Sequence, residues 1–287
     1  MSQRRACQTV EQPRSTQRYR ARKPAADQPL VKRLRELAAR HPRYGYRRIT
    51  ALLRAEGRRV NRKRVQRLWR AAGLKVPMKQ AKRRRFGAAS SRTQCRRAER
   101  PNQVWSYDFV WDQTADGRSL KWLPVVDEYT RECLALAVAR SMSGQDVVVE
   151  LQRLVAERGA PEYLRSDNGP EFIARAVREW LASERIATLY IEPGSPWQNA
   201  YSESFNSRLR DEFLDRELFD SLTEARVLGG GYRREYNERR PHSALGYRTP
   251  REFAMACREK FFLPLGGGKG VEQRQQQRPK TLIQVGT

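Results

Sequence analysis

At 287 residues the chain is long enough for a catalytic domain plus a smaller module. Its 58 Lys and Arg stand against 32 Asp and Glu, a formal net charge of +26 that calls for a polyanionic partner, nucleic acid first. The longest purely apolar run, 133–139, is too short to span a bilayer. Neither the four scattered cysteines nor His41 and His242 form a zinc or disulfide pattern, so the expected setting is a reducing cytoplasm, on nucleoid DNA.

The charge is unevenly spread. Residues 1–100 hold 32 basic and 5 acidic side chains, net +27, whereas 101–287 hold 26 and 27, net −1. The first 28 residues, with Arg14, Arg18, Arg20, Arg22 and Lys23 among polar residues and prolines, read as a basic disordered arm. Over 29–75, three apolar sets at helical spacing predict three short helices. They are Leu30, Val31, Leu34, Leu37 and Ala38; then Ile49, Leu52 and Leu53, ending at Gly57; then Val65, Leu68 and Trp69, opened by Asn61 and closed by Gly73. This is helix-turn-helix text. The last helix projects Arg62, Lys63, Arg64 and Arg67 away from its apolar stripe, and these, with Arg47 and Arg48, are the candidate DNA contacts. A plain three-helix bundle is the other reading of the same pattern.

Residues 76–100 form a basic linker in which Lys82, Arg83, Arg84 and Arg85 suit a DNA backbone, adding affinity without sequence choice. A second domain, 101–258, opens with three strand-like runs, 104–111, 120–126 and 132–138, joined as successive hairpins. There follow a helix over 144–157, a strand over 163–166, a helix over 170–184, a strand over 187–191 and a helix over 201–214. Such an order predicts an α/β fold, a mixed sheet with helices on its faces. The tail, 259–287, is Gly- and Gln-rich and reads as disordered.

Three carboxylates stand out by position. Asp108 lies in an aromatic strand, Asp167 ends a strand before Asn168-Gly169-Pro170, and Glu203 opens a helix, with 35 residues between the last two. Singly, each has a bland explanation as an edge-strand surface acid, a turn former or a helical surface charge. Together they form an all-oxygen donor set. Mutual repulsion of roughly 4 kcal/mol per pair at ~4 Å requires a cation between its members. Mg²⁺ or Mn²⁺ fits that chemistry, and two such ions can serve an in-line displacement at phosphorus. Asn206 and Arg210 share a helical face with Glu203 and would meet a phosphate backbone.

The segments RYGYRRI (43–49), WSYDF (105–109), SDNGPEF (166–172), PGSPWQNAYSESFNSRLRDE (193–212) and YNERRPHSALGYRTPREF (236–253) carry a resemblance over about residues 29–255. The chain resembles insertion-sequence transposases of the IS-three type, in the DDE transposase and retroviral integrase superfamily. The resemblance implies a ribonuclease-H-like five-stranded mixed sheet behind a small all-α helix-turn-helix domain. It also implies that Asp108, Asp167 and Glu203 bind two divalent metals for strand cleavage and strand transfer, and that Arg210 contacts DNA. Implied partners are transposon ends, target DNA, further copies in a synaptic complex, and an upstream-frame product joined by ribosomal frameshifting. Two departures are visible: Ala200 replaces a usual glycine, and Gly229-Gly230-Gly231-Tyr232 replaces an apolar helical stretch. Three glycines in a helix cost about 2–3 kcal/mol relative to alanine, which keeps a DNA-binding remnant in play beside a nuclease of the same fold.

Overall fold

The computed structural model describes residues 2–18, 24–76, 97–166, 169, 174–190 and 199–262. Two short helices, α1 (Gln3–Thr9) and α2 (Arg14–Gln17), precede α3 (Pro24–Arg40), α4 (Tyr46–Ala55) and α5 (Arg62–Ala71). Where a disordered arm was expected over 1–28, residues 3–9, 14–17 and 24–28 are helical, and residues 1 and 19–23 lie outside the described part. Ser2 caps α1, and α3 begins before Pro29, which lies inside it. A tertiary contact accounts for the earlier start: buried Asp27 receives Arg64 at 2.6 Å and Arg67 at 3.0 Å, tying the first turns of α3 to α5.

The three helices α3 to α5 close on one core of Leu34, Leu37, Ile49, Leu53, Val65, Leu68 and Trp69, the apolar sets read from the periodicity. The Asn61 side chain accepts the Lys63 N–H at the start of α5.

The larger unit is one mixed sheet. Its strand segments are β1 (Val104–Tyr107), β2 (Val110–Gln113), β3 (Ser119–Asp127), β4 (Cys133–Ala139), β5 (Tyr163–Ser166) and β6 (Ala187–Tyr190). β3 pairs antiparallel with β1, β2 and β4, and β1, β5 and β6 run parallel. The single strand expected over 104–111 is thus split into β1 and β2. Their register against β3 is continuous: Trp105 faces Asp127 and Val110 faces Trp122, so Asp108 falls opposite Pro124, which has no N–H to give a ladder. Counting β1 and β2 as one interrupted strand gives the five-stranded sheet that the resemblance implied.

Side-chain alternation divides the sheet into two faces. Trp105, Tyr107, Leu123 and Val125 pack under α6 (Gly144–Arg158) and α7 (Arg175–Ser183). Val110, Leu120, Trp122 and Val126 pack under Phe205 and Leu209 of α8 (Ala200–Glu212) and Tyr236 of α9 (Leu222–Glu238). At the edge strand β4, the Asn237 side chain accepts the Cys133 N–H at 2.8 Å and donates to its carbonyl at 2.9 Å, beside a register shift in the β3–β4 ladder. A last helix, α10 (Pro250–Phe262), runs past the boundary expected at 258, and residues 263–287 lie outside the described part.

The glycine run does not break α9, which is continuous over 17 residues. Gly229 sits against the fully buried Trp122, where a Cβ would lie 2.5 Å from Cζ3, while Gly230 and Gly231 face open space. Gly229 thus lets helix and sheet approach, and its neighbours add only backbone entropy cost. Gly229→Ala is expected to lose about 1–3 kcal/mol through overpacking, whereas Gly230→Ala or Gly231→Ala gains roughly 0.5–1 kcal/mol. Thermal unfolding of the three variants checks this, and equal effects would refute the packing argument.

Candidate active site

The strand interruption places Asp108 half-buried between two aromatic residues, Tyr107 and Phe109. By alternation with Val110 its side chain belongs to the face covered by α8. That helix is held down by a stripe at Ser202, Phe205 and Leu209, with Phe205 edge-on to Tyr236 at 4.9 Å. Glu203, Asn206 and Arg210 repeat the same spacing one residue on, about 100° around the helix. This second stripe flanks the buried one and runs along the interrupted strand. Asn206 Nδ2 donates to Asp108 Oδ2 at 3.0 Å, and Arg210 Nη2 donates to the Trp111 carbonyl at 3.0 Å. Glu203, one turn before Asn206, is exposed in the first turn of α8.

Asn206 and Arg210 are thereby brought against the interrupted strand at Asp108 and Trp111, with Glu203 one turn earlier on the same helix. Asp167 lies outside the described residues, as do Lys82, Arg83, Arg84 and Arg85. Among the described residues no group of three His, Cys, Asp or Glu side chains is arranged to hold a metal. Asn206, read from the sequence as a backbone contact, spends its amide N–H on Asp108, and its Oδ1 is buried without a protein partner. Nothing in sequence marks that role, because strand and helix are 98 residues apart.

The other candidate DNA contacts divide by environment. Arg62 and Lys63 are exposed on the first turn of α5. Arg47 is exposed, its Nε donating to the Tyr46 hydroxyl at 3.3 Å. Arg64 and Arg67 hold Asp27. Arg48 is turned inward, donating to Glu212 at 2.9 Å with its guanidinium over Tyr44.

Two further charged features were not read from the sequence. Arg165, on β5 beside Ser106 of β1, donates to Glu128 at 2.7 Å, both side chains being almost wholly buried. Burial outweighs Arg165 and pushes the Glu128 carboxyl up to about 7. Asp127 accepts the N–H groups of Asn102, Tyr129 and Thr130, making it the organiser of the β3–β4 turn. Burial raises its pKa against those hydrogen bonds.

Comparison with known proteins agrees with this architecture. Two integrase core domain models match residues 184–250 and 98–196, and an HTH-like domain model matches 25–84. The 31.7 kDa protein of insertion element IS407 from Burkholderia multivorans is 43% identical over 254 residues, covering 88% of this chain and 91% of that protein. The putative transposase InsK for insertion sequence element IS150, from Escherichia coli strain K12, is 28% identical, covering 89% and 93%. Among solved structures, the HTLV-2 integrase catalytic core domain aligns with a TM-score of 0.44 at 15% identity, covering 55% of this chain and 99% of that one. With a helix-turn-helix unit ahead of an integrase core, and with relatives of this identity along nearly their whole length, the chain belongs to the insertion-element transposases of the DDE transposase and integrase superfamily.

Proposed function

We propose that this transposase cuts and joins DNA at Asp108, Asp167 and Glu203, which together hold two Mg²⁺ or Mn²⁺ ions. The observation that carries the reading is the Asn206–Asp108 hydrogen bond, which draws the helix bearing Glu203 onto the strand interruption at Asp108. Support for Asp167 comes from register. β5, which ends at Ser166 immediately before it in sequence, pairs parallel with β1, 104 with 163 and 106 with 165. The residue types fit a hard divalent cation: carboxylate oxygens, beside the buried Asn206 Oδ1 that has no protein partner. Bound there, the ions supply activation of the attacking oxygen and charge neutralisation at the leaving oxygen.

The protein's own part is positioning. Asn206 fixes one oxygen of Asp108, and Glu203 lies one turn before Asn206 on the same packed helix. Two turns further along, Arg210 offers its guanidinium to the phosphate backbone. In the first reaction a water oxygen bonds to phosphorus as the phosphodiester P–O bond breaks and frees a 3′-hydroxyl. That hydroxyl then attacks a target phosphodiester in the same way.

The partners in this reading are two transposon ends, target DNA, further copies of this chain and an upstream-frame product fused to it, acting on nucleoid DNA in the cytoplasm. Among the described residues no helix is long and apolar enough to cross a membrane. The glycine run gives no reason to read the chain as a decayed remnant, since Gly229 fits Trp122 and α9 is continuous.

The test is a strand-transfer assay with paired end fragments, on this chain and on the frameshift fusion, with Mg²⁺, Mn²⁺ or chelator. Metal-dependent cleavage followed by joining is expected. Cleavage without joining would identify a nuclease, and binding without either reaction would identify a remnant.

A further inference from the structure

The segment 41–48, which contains most of RYGYRRI, is packed against the catalytic domain. Two arginines and a histidine of the helix-turn-helix unit meet three acids on α8 and α9: Arg48 with Glu212 at 2.9 Å, Arg43 with Asp211 at 3.5 Å, and His41 Nδ1 with Glu235 at 3.5 Å. Glu212 is the centre of this contact. Its side chain is 7% exposed and accepts Arg240 through both oxygens, at 2.6 and 2.7 Å, as well as Arg48. The Arg48 guanidinium also lies over the Tyr44 ring at 5.1 Å, and Tyr44 stacks on His41 at 4.6 Å. A bidentate buried acid with a third donor from another unit is a directional joint, unlike a mobile surface pair.

The joint lies on the helix that carries Glu203, nine residues further along. At 1.5 Å per residue the two acids are separated by roughly 13 Å of rigid helix. We propose that Arg48 and Glu212 are positioning residues that fix the helix-turn-helix unit on α8, so that DNA held by that unit meets the carboxylates at a set distance. This rests on the catalytic reading above. It assigns RYGYRRI and the Arg240 segment to one intramolecular contact and removes Arg48 from the DNA-facing set. Arg62 and Lys63 remain exposed on α5 while this contact is made.

The experiment uses the full chain and compares Arg48→Gln, Arg48→Lys and the double variant Arg43→Gln/Arg48→Gln. Arg43 is partly exposed, so its loss spares the core. Small-angle scattering of the DNA-free protein is expected to show a larger radius of gyration for the double variant at unchanged helix content. Affinity for end DNA should stay within about twofold for Arg48→Gln, since no phosphate contact is lost. Strand transfer at saturating DNA should fall about 10- to 100-fold through misplacement alone, with partial recovery in Arg48→Lys.

An unchanged radius, or wild-type strand transfer at saturating DNA, overturns the proposal. A fall in DNA affinity with normal turnover would return Arg48 to the DNA contacts. If Asp108→Asn keeps its activity, the catalytic reading fails instead, and the scattering comparison still decides the joint.

Discussion

Asp108→Asn is expected to reduce metal-dependent cleavage and strand transfer by about 10³-fold or more, with DNA affinity and thermal stability almost unchanged. The size follows from charge. Removing one ligand from a metal-held phosphoryl site loses several kcal/mol of transition-state stabilisation, and each 1.4 kcal/mol is about tenfold in rate. The unchanged stability follows from the local structure. Asp108 is half-buried, and its Oδ2 accepts one neutral amide N–H from Asn206, which an asparagine carbonyl at 108 can still accept. Replacing a charge there by a neutral isostere removes a desolvation cost and keeps the Asn206 hydrogen bond. Single-turnover cleavage of an end fragment, with affinity and thermal unfolding measured on the same preparation, checks all three quantities. Wild-type cleavage would remove Asp108 from the site, and a collapse of the fold would make its role structural. Asn206→Ala should give a smaller loss, because it disturbs the orientation of Asp108 and leaves its charge in place.

The second large effect concerns Arg165. Arg165→Met is expected to destabilise the protein by about 3–5 kcal/mol at alkaline pH, because it leaves Glu128 buried without its cation. Glu128 is fully buried and its Oε2 already has no partner. Burial holds its folded pKa near 7, above the ordinary 4.5, so the stability linked to this group is present below the ordinary value and lost as pH rises through about 7. Without Arg165 the folded pKa rises further. The deficit of Arg165→Met should therefore be greatest near about pH 8 and shrink toward about pH 5, where Glu128 binds a proton. Thermal unfolding midpoints across that range, with the double variant Glu128→Gln/Arg165→Met as reference, test the assignment. A deficit independent of pH would show that Glu128 is not the responsible group. The pair ties the end of β3 to β5.

The apolar text carried much of this molecule. The three helix stripes of 29–75 reappear as one core, since a 3.6-residue period already states which side chains face inward. The runs at 104–111, 120–126 and 132–138 pair as hairpins, because alternation with turn residues between them leaves few other registers. Asp108 and Glu203 were singled out as candidates for a related reason. An acid in an aromatic strand, or at the head of an amphipathic helix with Asn206 and Arg210 behind it, contradicts its surroundings and so marks itself.

Other features depend on partners far along the chain. Asp27 extends α3 ahead of Pro29 only because Arg64 and Arg67 reach it from another helix. Gly229 reads as a helix defect until Trp122 is seen against it. The interruption at Asp108 follows from which residue β3 sets opposite, and Asn206 becomes an orienting group because α8 lies across that interruption. Arg48, one of many arginines in a basic segment, is singled out by Glu212 and Arg240. Periodicity and local chemistry determined the elements, and the motif resemblance pointed to the family and marked the acids as candidates. The partners of each buried charge, and hence which cations face DNA and which hold the protein together, were decided by packing between segments distant in sequence.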